Sequence, residues 1–206
     1  MKAINAYFII EDEVNGERIL KAMEKYGRTC YKSEAKITVD SAKKLIASIM
    51  KNQHESVIEH EKVTVRVICD RGVTHEIVRH RIGSYSQEST RYCDYNKAGE
   101  IVCIEPIFWK INDPKYLIWK TTMEYLEARY NELIRLGATP QEARSVLPNS
   151  LKTEIIITFN LREWRHFFKL RCSKKAHPQM REVAVPLLAE FKKLIPIIFD
   201  DIIVDL

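Results

Sequence analysis

The chain has 206 residues, with 33 Lys or Arg against 28 Asp or Glu, so its formal net charge of +5 is only mildly basic. At 46% apolar and 30% charged residues it has the composition of a folded globular protein, which excludes disorder as the default state and leaves enough chain for a sizeable core. The six glycines include no pair spaced as G-x-G-x-x-G or G-x-x-x-x-G-K-[ST], so any bound nucleotide has to be held by side chains and helix ends.

In chain order, Ala3 to Ile10 is a short β-prone run, followed by Glu11 to Lys25, where Val14, Ile19, Leu20 and Met23 fall on one helical face. Asp40 reads as the N-cap of a helix over Ser41 to Met50, with Leu45, Ile46 and Ile49 at helical spacing. Lys62 to Cys69 alternates Val63, Val65 and Val67 against Thr64, Arg66 and Ile68, the pattern of a half-buried strand. After Asp70-Arg71-Gly72 a short helix is expected from Val73 to about Arg81, and a strand over Glu100 to Ile104. Pro114 opens a long helix that Gly137 closes, since proline costs nothing in a first turn and glycine suits the position after a last one. Thr139 and Glu142 fit a capping box on a two-turn helix stopped by Pro148. Thr153 to Phe159 is a β-branched run with the character of a buried strand, and Leu161 to Leu170 a helix with Leu161, Trp164, Phe167 and Phe168 in one stripe. A last helix starts near Gln179 and runs towards the C-terminus, with possible bends at Pro186 and Pro196. No repeat, low-complexity segment or flexible linker interrupts the chain, so the expectation is one α/β domain over residues 1–206.

The cysteines, Cys30, Cys69, Cys93, Cys103 and Cys172, are odd in number and contain no C-x-x-C pair, which fits a reducing, cytoplasmic setting. The opening MKAINAYFIIEDE lacks the length and cleavage site of a signal peptide, and no window approaches the ~20 apolar residues that span a bilayer. The most apolar stretch, Leu194 to Leu206, is broken by Pro196, Asp200, Asp201 and Asp205.

The segment from Arg79 to Tyr92, RHRIGSYSQESTRY, gathers guanidiniums, an imidazole, hydroxyls and an amide around a single glycine. Guanidinium forks and hydroxyls at this density suit phosphate oxygens and the edge of a heterocycle, although surface loops are also polar. Arg79-His80-Arg81, then seven residues and Ser89, followed by Arg91-Tyr92, resembles the signature of the flavin-dependent thymidylate synthases. Three further segments resemble that family in its own order: His54-Glu55-Ser56-Val57-Ile58-Glu59-His60 its H-E-x-x-x-E-H, Ala143 to Pro148 its A-R-x-x-L-P, and Asn160-Leu161-Arg162 through Leu170-Arg171 its N-x-R to L-R helix.

The resemblance implies a mixed α+β protomer with a central, mostly antiparallel sheet flanked by long helices, assembled as a homotetramer whose active sites lie at subunit contacts. It implies FAD, reduced by NADPH, and transfer of a methylene from methylenetetrahydrofolate onto dUMP to give dTMP. Carried over residue by residue, it puts FAD against Ser56, Arg79, His80, Arg81, Gln87, Asn160, Arg162 and His166. The nucleotide falls to Glu76, Arg79, Gln87, Ser89, Arg91, Arg144 and Arg171, with Arg171 as the catalytic residue beside the pyrimidine. Two departures stand out: Ser86-Gln87 where much of the family has Asn-Glu, and Glu76 where a Gln is common. Gln87 still donates and accepts hydrogen bonds but brings no charge.

Other residues read more plainly. His54 and His60, six apart, do not share a helical face as the histidines of H-E-x-x-H do, so no metal site is expected. Trp109, Trp119 and Trp164 read as core or subunit-interface residues, and Ser89 as a hydrogen-bonding group, because no base is legible beside it. A non-catalytic RNA- or nucleotide-binding module built on Arg79, Arg81 and Arg91 is the competing class. The mild charge, without a basic stripe or aromatic platform, speaks against it and against nucleic-acid or membrane partners. A metal phosphohydrolase lacks the ligand spacing such sites need.

Overall fold

A computed structural model describes residues 1–95, 97 and 99–204. In chain order they form β1 (Lys2–Ile4), β2 (Tyr7–Ile10), α1 (Gly16–Thr29), α2 (Ser41–Lys51), β3 (Lys62–Asp70), α3 (Arg71–Ile77) and β4 (Ser84–Gln87). They continue as β5 (Val102–Ile104), α4 (Pro114–Arg135), α5 (Pro140–Ala143), β6 (Lys152–Asn160), α6 (Leu161–Arg171) and α7 (Pro178–Leu194), with 3-10 turns at Glu34–Lys36, Glu55–His60 and Arg144–Val146. Asp205 and Leu206, the end of the apolar C-terminal stretch, lie outside the described residues.

Both long strands end on a residue that caps the following helix. Asp70 Oδ1 accepts the backbone N–H of Val73 at 2.6 Å, and Asn160 Oδ1 that of Glu163 at 2.8 Å, so each side chain satisfies a donor that the first helical turn leaves unpaired. The Asp70 cap starts α3 at Arg71, earlier than the apolar pattern suggests, and the helix ends at Ile77, short of the expected Arg81.

Strand order in the larger sheet is β2-β3-β6-β4, and β1 and β5 form a separate parallel pair. Pairing of β3 with β6 is antiparallel, since Leu161 N–H bonds Glu61 C=O at one end and Arg71 N–H bonds Asn149 C=O at the other. β4 also runs antiparallel to β6: Glu88 N–H donates to Glu154 C=O, while Gly83 lies against Phe159. β6 is half-buried rather than buried on both sides. Thr153, Ile155, Ile157 and Phe159 face inward, and the residues between them stay partly accessible.

Two compact units emerge, and β3 and β6 contribute residues to both. The first comprises Met1–Phe8, Val67–Arg79 and Tyr85–Ile156. Its core is Ile101, Cys103, Met123, Tyr130, Ala143 and Leu151, packed with partly buried side chains of α4 and of the Arg144–Val146 turn. The Thr139 amide donates to Glu142 Oε2 at 2.8 Å, the carboxylate half of the expected capping box, but α5 is a single turn that tightens into 3-10 geometry before Pro148. Gly137 takes φ +94 just past α4, as its place in the sequence requires.

The second unit comprises Ile9–Arg66, His80–Ser84 and residues from Ile157 onward. Its core is aromatic: Trp164 is fully buried among Phe159, Phe167, Phe168 and Phe191, with ring centroids 4.8–5.5 Å apart. The Trp164 indole N–H donates to Val63 C=O at 2.9 Å, so the ring is buried without an orphaned donor. α7 continues through Pro186 and ends before Pro196.

Candidate active site

In the second unit the chemistry begins with burial of a histidine. Arg79 and Arg81 are exposed, whereas His80 between them is 4% exposed and packs against Phe159, Phe167 and His166. Its two ring nitrogens have opposite partners. Arg171 donates its Nε–H to His80 Nε2 at 3.2 Å, and His80 Nδ1 lies 2.8 Å from Glu163 Oε1. An Nε2 that accepts leaves the proton on Nδ1, where it donates to the carboxylate. Burial lowers the His80 pKa below its ordinary 6.5, and the Arg171 charge lowers it further, against the opposing pull of Glu163. Burial is thus the main influence favouring the neutral imidazole, and Arg171 rather than either flanking arginine is the cation that adds to it. Glu163 is itself buried, in the first turn of α6, where the positive end of the helix dipole favours a carboxylate.

Beside this chain opens a cleft of about 480 Å³ lined by Glu55, Glu59, Ile82, Asn160, Arg162, Glu163, His166 and Lys169. Glu59 holds one end of the Arg162 guanidinium at 2.5 Å, and Glu55 approaches its Nε at 3.7 Å. Glu55 also bonds Arg165, which is 2% exposed and forked onto Asp201 at 2.6 and 2.7 Å. Asn160, Arg162 and His166 thus share the cleft wall, while Ser56 stands exposed on the Glu55–His60 turn, outside the lining. The ligand atoms of His80, Glu163 and His166 fall within 4.8 Å of one another, the closeness a metal needs. Both His80 nitrogens are engaged, however, and a guanidinium occupies the Nε2 side.

The first unit gathers most of the residues assigned to the nucleotide. Gln87 donates through Nε2 to Thr74 Oγ1 at 3.0 Å and Thr153 Oγ1 at 3.4 Å. Arg91 bonds Gln141 at 3.1 Å, and Arg144 reaches Thr90 Oγ1 at 3.5 Å. Two segments about 50 residues apart in sequence are thereby fastened together, with exposed guanidiniums at their junction. Ser89 Oγ accepts the backbone N–H of Arg91 at 3.2 Å, a local turn contact rather than an approach to a base. Glu88 points elsewhere, onto Tyr95 at 2.8 Å and Lys152 at 3.0 Å. Glu76, on α3, is partly buried and engaged.

A family model described as thymidylate synthase complementing protein matches residues 15–197. The flavin-dependent thymidylate synthase of Pyrococcus furiosus is 37% identical over 170 residues, 82% of this chain and 70% of that one. That of Geobacter sulfurreducens is 34% identical over 181 residues, 84% of this chain and 78% of that one. The chain belongs to the flavin-dependent thymidylate synthase family. A crystal structure of a UMP/dUMP methylase PolB from Streptomyces cacaoi, bound with 5-Br dUMP, superposes with a TM-score of 0.78 at 22% identity, covering 97% of this chain and 96% of that one. That likeness is one of fold, here a mixed α+β fold with an antiparallel sheet.

Within this family frame, the signature divides by chemistry: its histidine, His80, is buried and bonded inside the protein, while Arg79, Arg81 and Arg91 are exposed. Glu163, Thr74 and Thr153, which hold His80 and Gln87 in place, belong to no motif legible in the sequence. Glu163 left a signal: it lies four residues before Phe167 on the apolar stripe of α6, so a buried carboxylate needing a partner could be expected there.

Proposed function

We propose that the chain is a flavin-dependent thymidylate synthase that converts dUMP to dTMP, with methylenetetrahydrofolate as carbon donor and FAD reduced by NADPH. The observation that carries this reading is the junction of the signature segment with the A-R-x-x-L-P segment, where Arg91 bonds Gln141 and Arg144 reaches Thr90. Guanidiniums and hydroxyls fixed together in this way suit a nucleotide phosphate. In this reading Ser89, Arg91, Arg144, Gln87, Glu76 and Arg79 hold dUMP, and Arg171 stands beside its pyrimidine.

The donor set of the cleft suits a flavin. Asn160 and His166 bring polar edges and Ile82 an apolar wall, while Arg162 and Lys169 bring positive charge that Glu55 and Glu59 hold as ion pairs until an anionic ligand competes for it. Asn160, Arg162 and His166 would hold FAD there; Arg79, Arg81, His80, Gln87 and Ser56, which the family resemblance also assigns to the flavin, do not line this cleft. Bound and reduced, the flavin supplies the hydride that turns a transferred methylene into a methyl group. The protein's own part is orientation and charge. The Arg171 guanidinium, anchored through Nε on His80, favours loss of the imide proton and so raises electron density at the carbon to be methylated. Ser89 hydrogen-bonds the nucleotide and forms no covalent bond to it. Further parts of the reading are a homotetramer with sites shared between subunits, a single functional domain over residues 1–206, and a place in the cytoplasm. No described helix is long and apolar enough to cross a membrane.

The test is to supply the purified chain with FAD, NADPH, methylenetetrahydrofolate and dUMP, omitting each in turn. A yellow protein forming dTMP only in the complete mixture is expected. A colourless protein that binds RNA through Arg79, Arg81 and Arg91 would replace the synthase with the competing reading.

A further inference from the structure

We propose that Glu163 is a positioning residue for turnover: by accepting the Nδ1 proton of His80 it keeps Nε2 unprotonated, and that nitrogen anchors Arg171. The proposal rests on the synthase reading for the word turnover, but its structural half stands on this chain's own geometry. Glu163 and Arg171 lie eight residues apart on α6, about 12 Å along the axis. The imidazole bridges them, with 2.8 Å on one side and 3.2 Å on the other.

Every alternative protonation state of His80 breaks the bridge. With the proton on Nε2, two N–H groups face each other and the Arg171 Nε–H contact is lost. With protons on both nitrogens, two cations meet in a site where His80 is 4% exposed and Glu163 7%. Only the Nδ1–H form satisfies both contacts, and a carboxylate or amide oxygen beside Nδ1 selects it. Phe159 and Phe167 offer the ring apolar contact, and His166 lies across it at a 5.3 Å centroid distance. Glu163 lines the cleft assigned to the flavin but reaches the nucleotide only through His80 and Arg171, two steps away. Losing the Nε contact removes one of the bonds that orient the Arg171 guanidinium, and misplacement of about 1 Å at a reacting centre costs of the order of 10²-fold.

The full-length, flavin-loaded protein labelled with 15N-histidine gives the direct readout, because imidazole nitrogen shifts distinguish the two neutral tautomers. His80 is identified by the signal missing from His80→Gln, and spectra are recorded at about pH 7.5, above the ordinary imidazole value. Wild type and Glu163→Gln, whose amide oxygen still accepts from Nδ1–H, should both show the proton on Nδ1. Glu163→Leu, similar in size but without an acceptor, should lose that preference. Its kcat should fall about 10- to 100-fold with the apparent KM for dUMP changed less than about threefold, while Glu163→Gln recovers to within about fivefold of wild type. A purely structural role for Glu163 predicts equal losses in both variants and an unchanged tautomer, and that result overturns the proposal. If Glu163→Leu fails to fold, the wild-type spectrum still decides, since a proton on Nε2 there is fatal. Failure of wild type to form dTMP removes the synthase reading instead, and leaves the tautomer result to judge the bridge alone.

Discussion

At the scale of single residues, one imidazole settles more than its sequence neighbours suggest. R-H-R invites the idea that two flanking cations suppress protonation of the histidine, yet both arginines are exposed and the suppression comes from burial and from Arg171. That has a consequence for stability. With the folded pKa lowered, the unfolded chain takes up a proton on His80 as pH drops through 6.5 while the folded chain does not, so stability is greatest above 6.5 and declines towards the lowered value. Denaturation midpoints should fall between neutral and mildly acidic pH, and His80→Gln should flatten that part of the slope. Identical slopes would mean that His80 titrates alike in both states. Arg171→Ala should stay yellow and lose dTMP formation about 10²-fold or more, the usual cost of removing one electrostatic stabiliser. Near-normal turnover would reduce Arg171 to a favourable charge at a helix C-terminus. For Ser89→Ala, dTMP formation should persist with dUMP binding weakened by about 1–3 kcal/mol, whereas Cys93→Ala should be close to wild type. A Ser89–pyrimidine adduct seen by mass spectrometry would contradict this.

Among the elements, the signature segment is shaped by one close approach. A Cβ on Gly83 would sit 2.2 Å from Phe159 Cδ1 and 3.1 Å from Thr158 C=O, so only glycine lets the segment lie against β6. Gly83→Ala should cost about 1–3 kcal/mol, the range of overpacking, measured by chemical denaturation; a neutral result would mean Phe159 yields without penalty. For Arg144→Ala the expectation is a higher apparent requirement for dUMP with flavin absorbance unchanged, and an unaltered dUMP dependence would move Arg144 out of the nucleotide site. Legibility in the sequence followed local chemistry. α4, α5 and α6 were readable because Pro114, Gly137, Thr139, Glu142 and Pro148 punctuate them and because apolar residues recur at helical spacing. β4 was not readable: Ser84-Tyr85-Ser86-Gln87 has no apolar alternation, and its pairing with β6, 70 residues on, comes from the tertiary fold. The helix expected over Glu11 to Lys25 starts later, at Gly16, where the Asn15 side chain accepts from Arg18 N–H. Of the site, the exposed arginines and hydroxyls announced themselves through composition and resemblance. The partners that hold them, Glu163, Thr74 and Thr153, are ordinary in isolation and gain meaning only from long-range contacts.

For the whole molecule, the proposed function has side chains from dispersed motifs, in place of a glycine-rich loop, binding two phosphate-bearing molecules. A tetramer with shared sites agrees with this and with the exposed apolar side chains of α4, Leu117, Ile118 and Tyr125. Light scattering should find four copies in the flavin-loaded protein, and a flavin-loaded monomer would refute shared sites. The most direct measurement is a single turnover without oxygen: protein carrying reduced flavin is mixed with dUMP and methylenetetrahydrofolate, and flavin absorbance and dTMP are followed together. The expected result is one dTMP formed for each flavin oxidised. Flavin that stays reduced, or is oxidised without dTMP, would contradict the assignment of the hydride to the flavin.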